Sequence, residues 1–195
     1  MTTHARAGSI LAGALLVGVA LAGCTDSEGT NEGGYVAGDG QVTEIAPDDR
    51  GEPVALTGET LDGAAYDVAR QRGKPVVVNI WWSGCGPCKT EMPMLQEASQ
   101  EVGDDVAFLG VNTRDLDVAQ AQAFDRVAKV DYPSIYDPSG KALLAFHGQA
   151  SLFSMPQTLV LDSEGRVAAS IRGAIPSKTT LTTVIEDVDT GSTGG

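Results

Sequence analysis

The sequence predicts an α/β domain with a mixed central sheet flanked by helices, and three observations carry that expectation. Val76-Val77-Val78-Asn79-Ile80-Trp81 is a continuous, largely β-branched run of the kind that forms a strand buried on both faces. Short apolar runs alternate with helical stretches from residue 53 to residue 188, an order that builds a sheet with helices on both faces. Late in the chain, two strand-like segments bracket Asp162-Ser163-Glu164-Gly165 and predict an antiparallel hairpin ahead of a closing helix.

In chain order, residues 54–57 and 65–67 flank the turn signal Asp62-Gly63 and predict a small added N-terminal β-hairpin. Lys74-Pro75 leads into the buried strand at 76–81. A helix begins at about Gly86, because Pro87 is tolerated in a first helical turn, where its missing N–H would be unpaired anyway. Residues 106–111 read as the next buried strand. Residues 116–128 read as a helix whose Val118, Ala121 and Phe124 recur at helical spacing and so pack the core. Residues 133–136 predict a short strand and 140–146 a short helix. Residues 157–161 and 167–171 form the hairpin, and 176–188 the closing helix.

The two ends read differently from this middle. Residues 1–9 carry one base, Arg6, and no acid, and residues 10–21 are an uncharged apolar run, so 1–23 has the layout of an export signal. Twelve residues at 1.5 Å rise span about 18 Å of helix, short of a bilayer core. The run ends in Leu21-Ala22-Gly23-Cys24, which resembles a bacterial lipobox and implies cleavage before Cys24 and lipid on that cysteine. From Thr25 to Glu52 eight acids stand against one base, Arg50, among scattered glycines, which predicts a flexible acidic tether over 24–52. Residues 189–195 are small and polar and predict a disordered tail. The formal charge of −13 over 195 residues argues against nucleic acid as a partner, and one domain with appendages fits the length.

Three cysteines are present, and with Cys24 assigned to an anchor the other two form Cys85-Gly86-Pro87-Cys88 at the junction of the buried strand and the next helix. There Cys85 stands at the N-cap, where unpaired N–H groups and the helix dipole stabilise a thiolate, making it the nucleophile. Cys88, one turn in, is the resolving thiol. Zinc would need two further ligands, and only Cys24, His4 and His147 remain in the sequence, so no metal is expected. A purely structural disulfide stays open, although so small a loop adds little entropic stabilisation. A peroxidase would want Thr or Ser three residues before the nucleophile, where Trp82 stands. His147 reads as a surface residue, and Lys89, next to Cys88, either adds to the local positive field or is solvated.

The CGPC motif after a Trp-containing strand, Pro93 in the following helix, and Met155-Pro156-Gln157-Thr158-Leu159-Val160-Leu161-Asp162 some 70 residues on resemble the thioredoxin fold. The approach Gly73-Lys74-Pro75-Val76-Val77-Val78-Asn79 and the continuation Lys89-Thr90-Glu91-Met92-Pro93 resemble its TlpA/ResA-like extracytoplasmic branch, over residues 53–188. The resemblance implies a thiol:disulfide oxidoreductase without cofactor, a cis Pro156, and a substrate peptide pairing with the backbone of Met155 beside Gly86, Pro87 and Trp82. It implies reduction, because Gly-Pro between the cysteines matches thioredoxins of about −270 mV. Apocytochrome c is the implied substrate and a membrane thiol-reductant conduit the implied electron donor. A monomer is expected on the extracytoplasmic face of a bacterial membrane.

Two positions depart from the pattern. Gly84 stands where such proteins commonly place Trp, which predicts a more open and flexible rim. Asn79 stands where cytosolic thioredoxins keep a buried Asp, so Asp115, in the loop after the next strand, becomes the candidate proton acceptor, against the alternative of a solvated acid paired with Arg114. Other readings are a general disulfide reductase or oxidase of exported proteins, and a non-catalytic lipoprotein binding module with a structural Cys85-Cys88 bridge.

Overall fold

The computed structural model describes residues 42–191. The signal, Cys24 and most of the expected tether lie outside the described residues, as do 192–195.

The β-branched run becomes β4 (Val76–Trp81), buried at every position in the middle of a six-stranded sheet. On one side it pairs in parallel with β5 (Ala107–Asn112), which pairs in parallel with β6 (Ser134–Tyr136). On the other it pairs antiparallel with β7 (Gln157–Leu161), followed by β8 (Val167–Arg172) and β1 (Val42–Glu44), also antiparallel. The spatial order is β1-β8-β7-β4-β5-β6. The late hairpin is β7–β8, as the Asp162–Gly165 turn predicts.

Two parallel crossovers run in the same direction across the sheet, β4 to β5 through α1 (Gly86–Val102) and β5 to β6 through α2 (Val118–Ala128). Crossovers of one hand and one direction lie on one face, and the packing agrees. Val77 and Trp81, which share a face of β4, pack with Leu95 and Met92 of α1, with Ala121 of α2, and with Leu181 and Val184 of α3 (Lys178–Thr190). Val76, Val78 and Ile80 point the other way and meet Val54, Leu56, Val68, Leu143 and Phe146. The helices expected on the second face are two 3₁₀ segments, Val68–Gln71 and Lys141–Phe146.

The structure corrects several boundaries. The sheet starts inside the expected tether: Val42 faces Ile171 across β1–β8, and Val42 is buried in the core. Arg50, the one base among those acids, bonds the Asp162 carboxylate at 3.2 Å and the Ile45 carbonyl at 3.0 Å, and Asp162 also accepts from Arg166. A strand pairing and a shared, buried carboxylate thus hold a stretch that composition alone marks as too acidic to fold. In the N-terminal hairpin, β2 (Thr57–Glu59) starts three residues late. Val54 is irregular core chain whose N–H bonds the Gly165 carbonyl at 2.8 Å, and the Leu56 carbonyl accepts from Val68. Its partner β3 (Ala65–Asp67) falls where the sequence places it. Finally, α2 and α3 each start two residues later than expected because Asp117 and Ser177 cap them, accepting from the N–H of Ala119 and Thr180. At its other end α3 runs to Thr190, into the expected tail, and stops at Gly191, which takes a left-handed φ of 70°.

Candidate active site

At the C-terminal end of β4 the chain turns into α1, and Cys85 and Cys88 are joined there by a disulfide. Cys85 is the N-cap of α1, and its sulfur accepts from the Cys88 N–H at 3.1 Å. On reduction that sulfur faces the unpaired N–H groups and positive dipole end of a 17-residue helix, which favours the thiolate. Cys88 is fully buried and Cys85 is 5% exposed, while Gly86, Pro87 and Lys89 are exposed beside them. Trp81 lies beneath, stacked on Phe124 of α2 at 5.2 Å, with its indole N–H donating to Ser134.

The Met155–Pro156 peptide bond is cis. Gln157, the next residue, pairs with Ile80, so Pro156 stands beside the end of β4 from which the cysteines follow, and its carbonyl accepts from the Gly173 N–H at 2.9 Å. Met155 is half-buried against the second-face core.

A polar group lies under the cysteines, where the surrounding core is apolar. Asn79 donates from Nδ2 to Glu91 Oε1 at 2.8 Å and to Thr158 Oγ1 at 3.1 Å, and Glu91 Oε2 accepts from the Ile175 N–H at 3.0 Å. Glu91 follows Cys88 by three residues on α1 and is 3% exposed. Burial pushes its carboxyl up from the ordinary 4.5 to about 7, against the lowering effect of its bonds from Ile175 and Asn79. Sequence reasoning missed Glu91. The available signal was its spacing of one helical turn from Cys88, above a strand position occupied by an amide.

Asp115 is likewise 3% exposed, and so is not the solvated acid of the alternative reading. It accepts from the Ser83 N–H at 2.8 Å, from Ser83 Oγ at 2.7 Å and from Asn112 Nδ2 at 2.8 Å. Arg114 does not pair with it; its guanidinium carbon lies 5.9 Å from the centroid of the Trp82 ring. The open rim expected at Gly84 is also corrected. A Cβ at position 84 would stand 2.2 Å from the nearest carbon of the Trp82 ring, so the indole fills the space above the glycine. His147 is exposed, at the end of a 3₁₀ turn. Among the described residues, no group of three or more His, Cys, Asp or Glu side chains is placed to hold a metal, and no helix is long and apolar enough to cross a membrane.

A central sheet with a Cys-x-x-Cys at a helix N-terminus and a cis-proline at the adjoining strand defines a domain of the thioredoxin superfamily, in its TlpA/ResA-like branch. The chain belongs to the Redoxin family, which it matches over residues 41–185. It is 25% identical over 116 residues to the thiol-disulfide oxidoreductase ResA of Bacillus thuringiensis, covering 58% of this chain and 63% of that protein. Among solved structures, it is similar to a DsbF homologue from Corynebacterium diphtheriae, with a TM-score of 0.72, 31% identity, and coverage of 78% of this chain and 96% of that one. It is also similar to a secreted thiol-disulfide isomerase from Corynebacterium glutamicum, at TM-score 0.70 and 28% identity, covering 79% and 96%. The chain spans 61% and 63% of the first curated relatives it matches.

Proposed function

We propose that this protein is an extracytoplasmic thiol:disulfide oxidoreductase that reduces protein disulfides, anchored to the membrane through lipid on Cys24. The observation that carries the reading is the Cys85–Cys88 disulfide at the start of α1, with the buried Glu91 one turn further on. In the reduced protein the Cys85 thiolate attacks a substrate disulfide; one S–S bond forms, one breaks, and a substrate thiolate leaves. Cys88 then gives up its proton and attacks the Cys85 sulfur. That step releases the second substrate thiolate and leaves the Cys85–Cys88 disulfide, so two electrons have passed to the substrate.

Glu91 is the proton acceptor for Cys88 in this scheme, since a carboxyl held near 7 can take a proton and return it at ambient pH. Asp115 takes the role of holding Ser83, through the bonds its carboxylate already makes. Pro156 and Met155 offer an edge to an extended substrate, with Gly86 and Pro87 opposite. The Gly-Pro dipeptide supports the reducing direction; oxidised apocytochrome c is the proposed substrate and a membrane thiol-reductant conduit the proposed donor. The names of similar proteins, a thiol-disulfide oxidoreductase and a secreted thiol-disulfide isomerase, support thiol-disulfide chemistry, and the second supports work outside the cytoplasm.

The test is trapping. A Cys88→Ser variant expressed in membranes should accumulate a mixed disulfide through Cys85 that mass spectrometry identifies, and capture of nothing overturns the enzymatic reading. A measured potential near −120 mV, that of a strong oxidant, would overturn the reducing direction alone.

A further inference from the structure

The loop between β5 and α2 grips the loop between β4 and α1 at two consecutive residues. Asp115 holds Ser83 by two hydrogen bonds, and Arg114, its neighbour, sets its guanidinium carbon over the ring of Trp82, 5.9 Å from the centroid. Arg114 adopts a φ of 68°, in the left-handed region. A non-glycine residue is strained there and stays only where its surroundings over-determine it. The Trp82 ring lies in turn over Gly84, where a Cβ would stand 2.2 and 2.5 Å from two of its carbons. It packs against the core group that contains Cys85 and Cys88, and the Trp82 carbonyl accepts from the Cys85 N–H at 3.1 Å. Gly84 therefore makes room for an indole supplied from two residues upstream, and Arg114 backs that indole.

We propose that Arg114 is a positioning residue for substrate recognition: it holds the Trp82 indole over Gly84 as a fixed wall beside Cys85, against which the peptide segment flanking a substrate disulfide packs. The proposal rests on the oxidoreductase reading and specifies which substrates feel the wall. An extended peptide disulfide with apolar neighbours reaches it, and a small disulfide does not. A cation close to an aromatic face at an exposed site biases one ring orientation severalfold.

The experiment compares Arg114→Ala, Arg114→Gly and Arg114→Lys in the full chain. Arg114→Gly removes the side chain while relieving the left-handed backbone, so loss of folding cannot explain its behaviour. In a Trp81→Phe background, acrylamide quenching reads Trp82 alone, independently of turnover. Ala and Gly should raise the quenching constant about twofold, and Lys should recover most of the difference. In kinetics, Ala and Gly should raise KM for a disulfide-linked peptide about fivefold with kcat within twofold, whereas KM for bis(2-hydroxyethyl) disulfide should rise less than twofold. Unchanged quenching, unchanged KM for the peptide, Lys no better than Ala, or an equal rise for both disulfides overturns the proposal. A wild type that turns over neither disulfide overturns the oxidoreductase reading, and the quenching arm still decides whether Arg114 holds the ring.

Discussion

Glu91 and Asp115 are buried to the same degree, 3% exposed each, one bonded to a side chain of β4 and the other to the loop that follows it. Glu91, on α1, meets one amide and one backbone N–H from distant parts of the chain, Asn79 and Ile175, and burial pushes its carboxyl up to about 7. Asp115, in the loop after β5, receives three hydrogen bonds, all from residues of the two loops and strand ends it joins. Equal burial thus serves two purposes. An acid with few donors in an apolar setting can hold a proton near neutral pH; an acid ringed by donors pins two loops together. The donors separate the two, and in the proposed mechanism Glu91 is the one that takes the proton.

The largest expected effect that sharpens this contrast is on turnover. Glu91→Gln keeps the shape and removes the proton acceptor, and should slow peptide disulfide reduction on the order of 100-fold at pH 7, within the usual range for losing a general base. Asp115→Asn should cost far less turnover; an equal loss in both variants would erase the distinction. Thermal unfolding gives the reverse order. Asp115→Ala strips three bonds to a carboxylate and leaves the Ser83 N–H unpaired, a loss of about 3 kcal/mol and a Tm lower by roughly 6–12 °C.

The pH dependence of stability follows from the direction of the shift. Glu91 is raised in the fold, so its contribution is complete below about 4.5 and is lost as pH climbs through 7. The oxidised protein should lose up to about 3 kcal/mol between pH 4.5 and 8 on account of Glu91. Asp125, pushed by burial up to about 6, adds to the loss at the lower end of that window. Chemical denaturation across this range should show the Glu91 part removed in Glu91→Gln and kept in Asp115→Asn. The smallest effect belongs to Thr158→Val, which takes one of two acceptors from Asn79 and should cost about 1 kcal/mol.

Much of this was legible in the sequence, for physical reasons that differ by element. β4 announces itself because a strand buried on both faces has no polar face to confuse the pattern, and the cysteine pair falls where strand gives way to helix. β1 was hidden because three residues among acids carry too little periodicity, and what holds them is a pairing with β8 more than 120 residues away. Val54 and Leu56 were read as strand because apolar spacing reports burial and does not tell a strand from an irregular core segment. Glu91 sits within the motif without a sign of its burial: acids on helices are usually solvated, and only the Asn79 amide beneath it, in a different element, shows that this one is not. Gly84 pointed to an open rim because a missing side chain reads as space, whereas the space belongs to Trp82.

The most direct test of the central claim is the pH profile of peptide disulfide reduction by reduced wild type, Glu91→Gln and Asp115→Asn. An inflection near pH 7 should appear in wild type, persist in Asp115→Asn and vanish in Glu91→Gln. An inflection that survives in Glu91→Gln and disappears in Asp115→Asn would contradict the assignment and return the proton to Asp115.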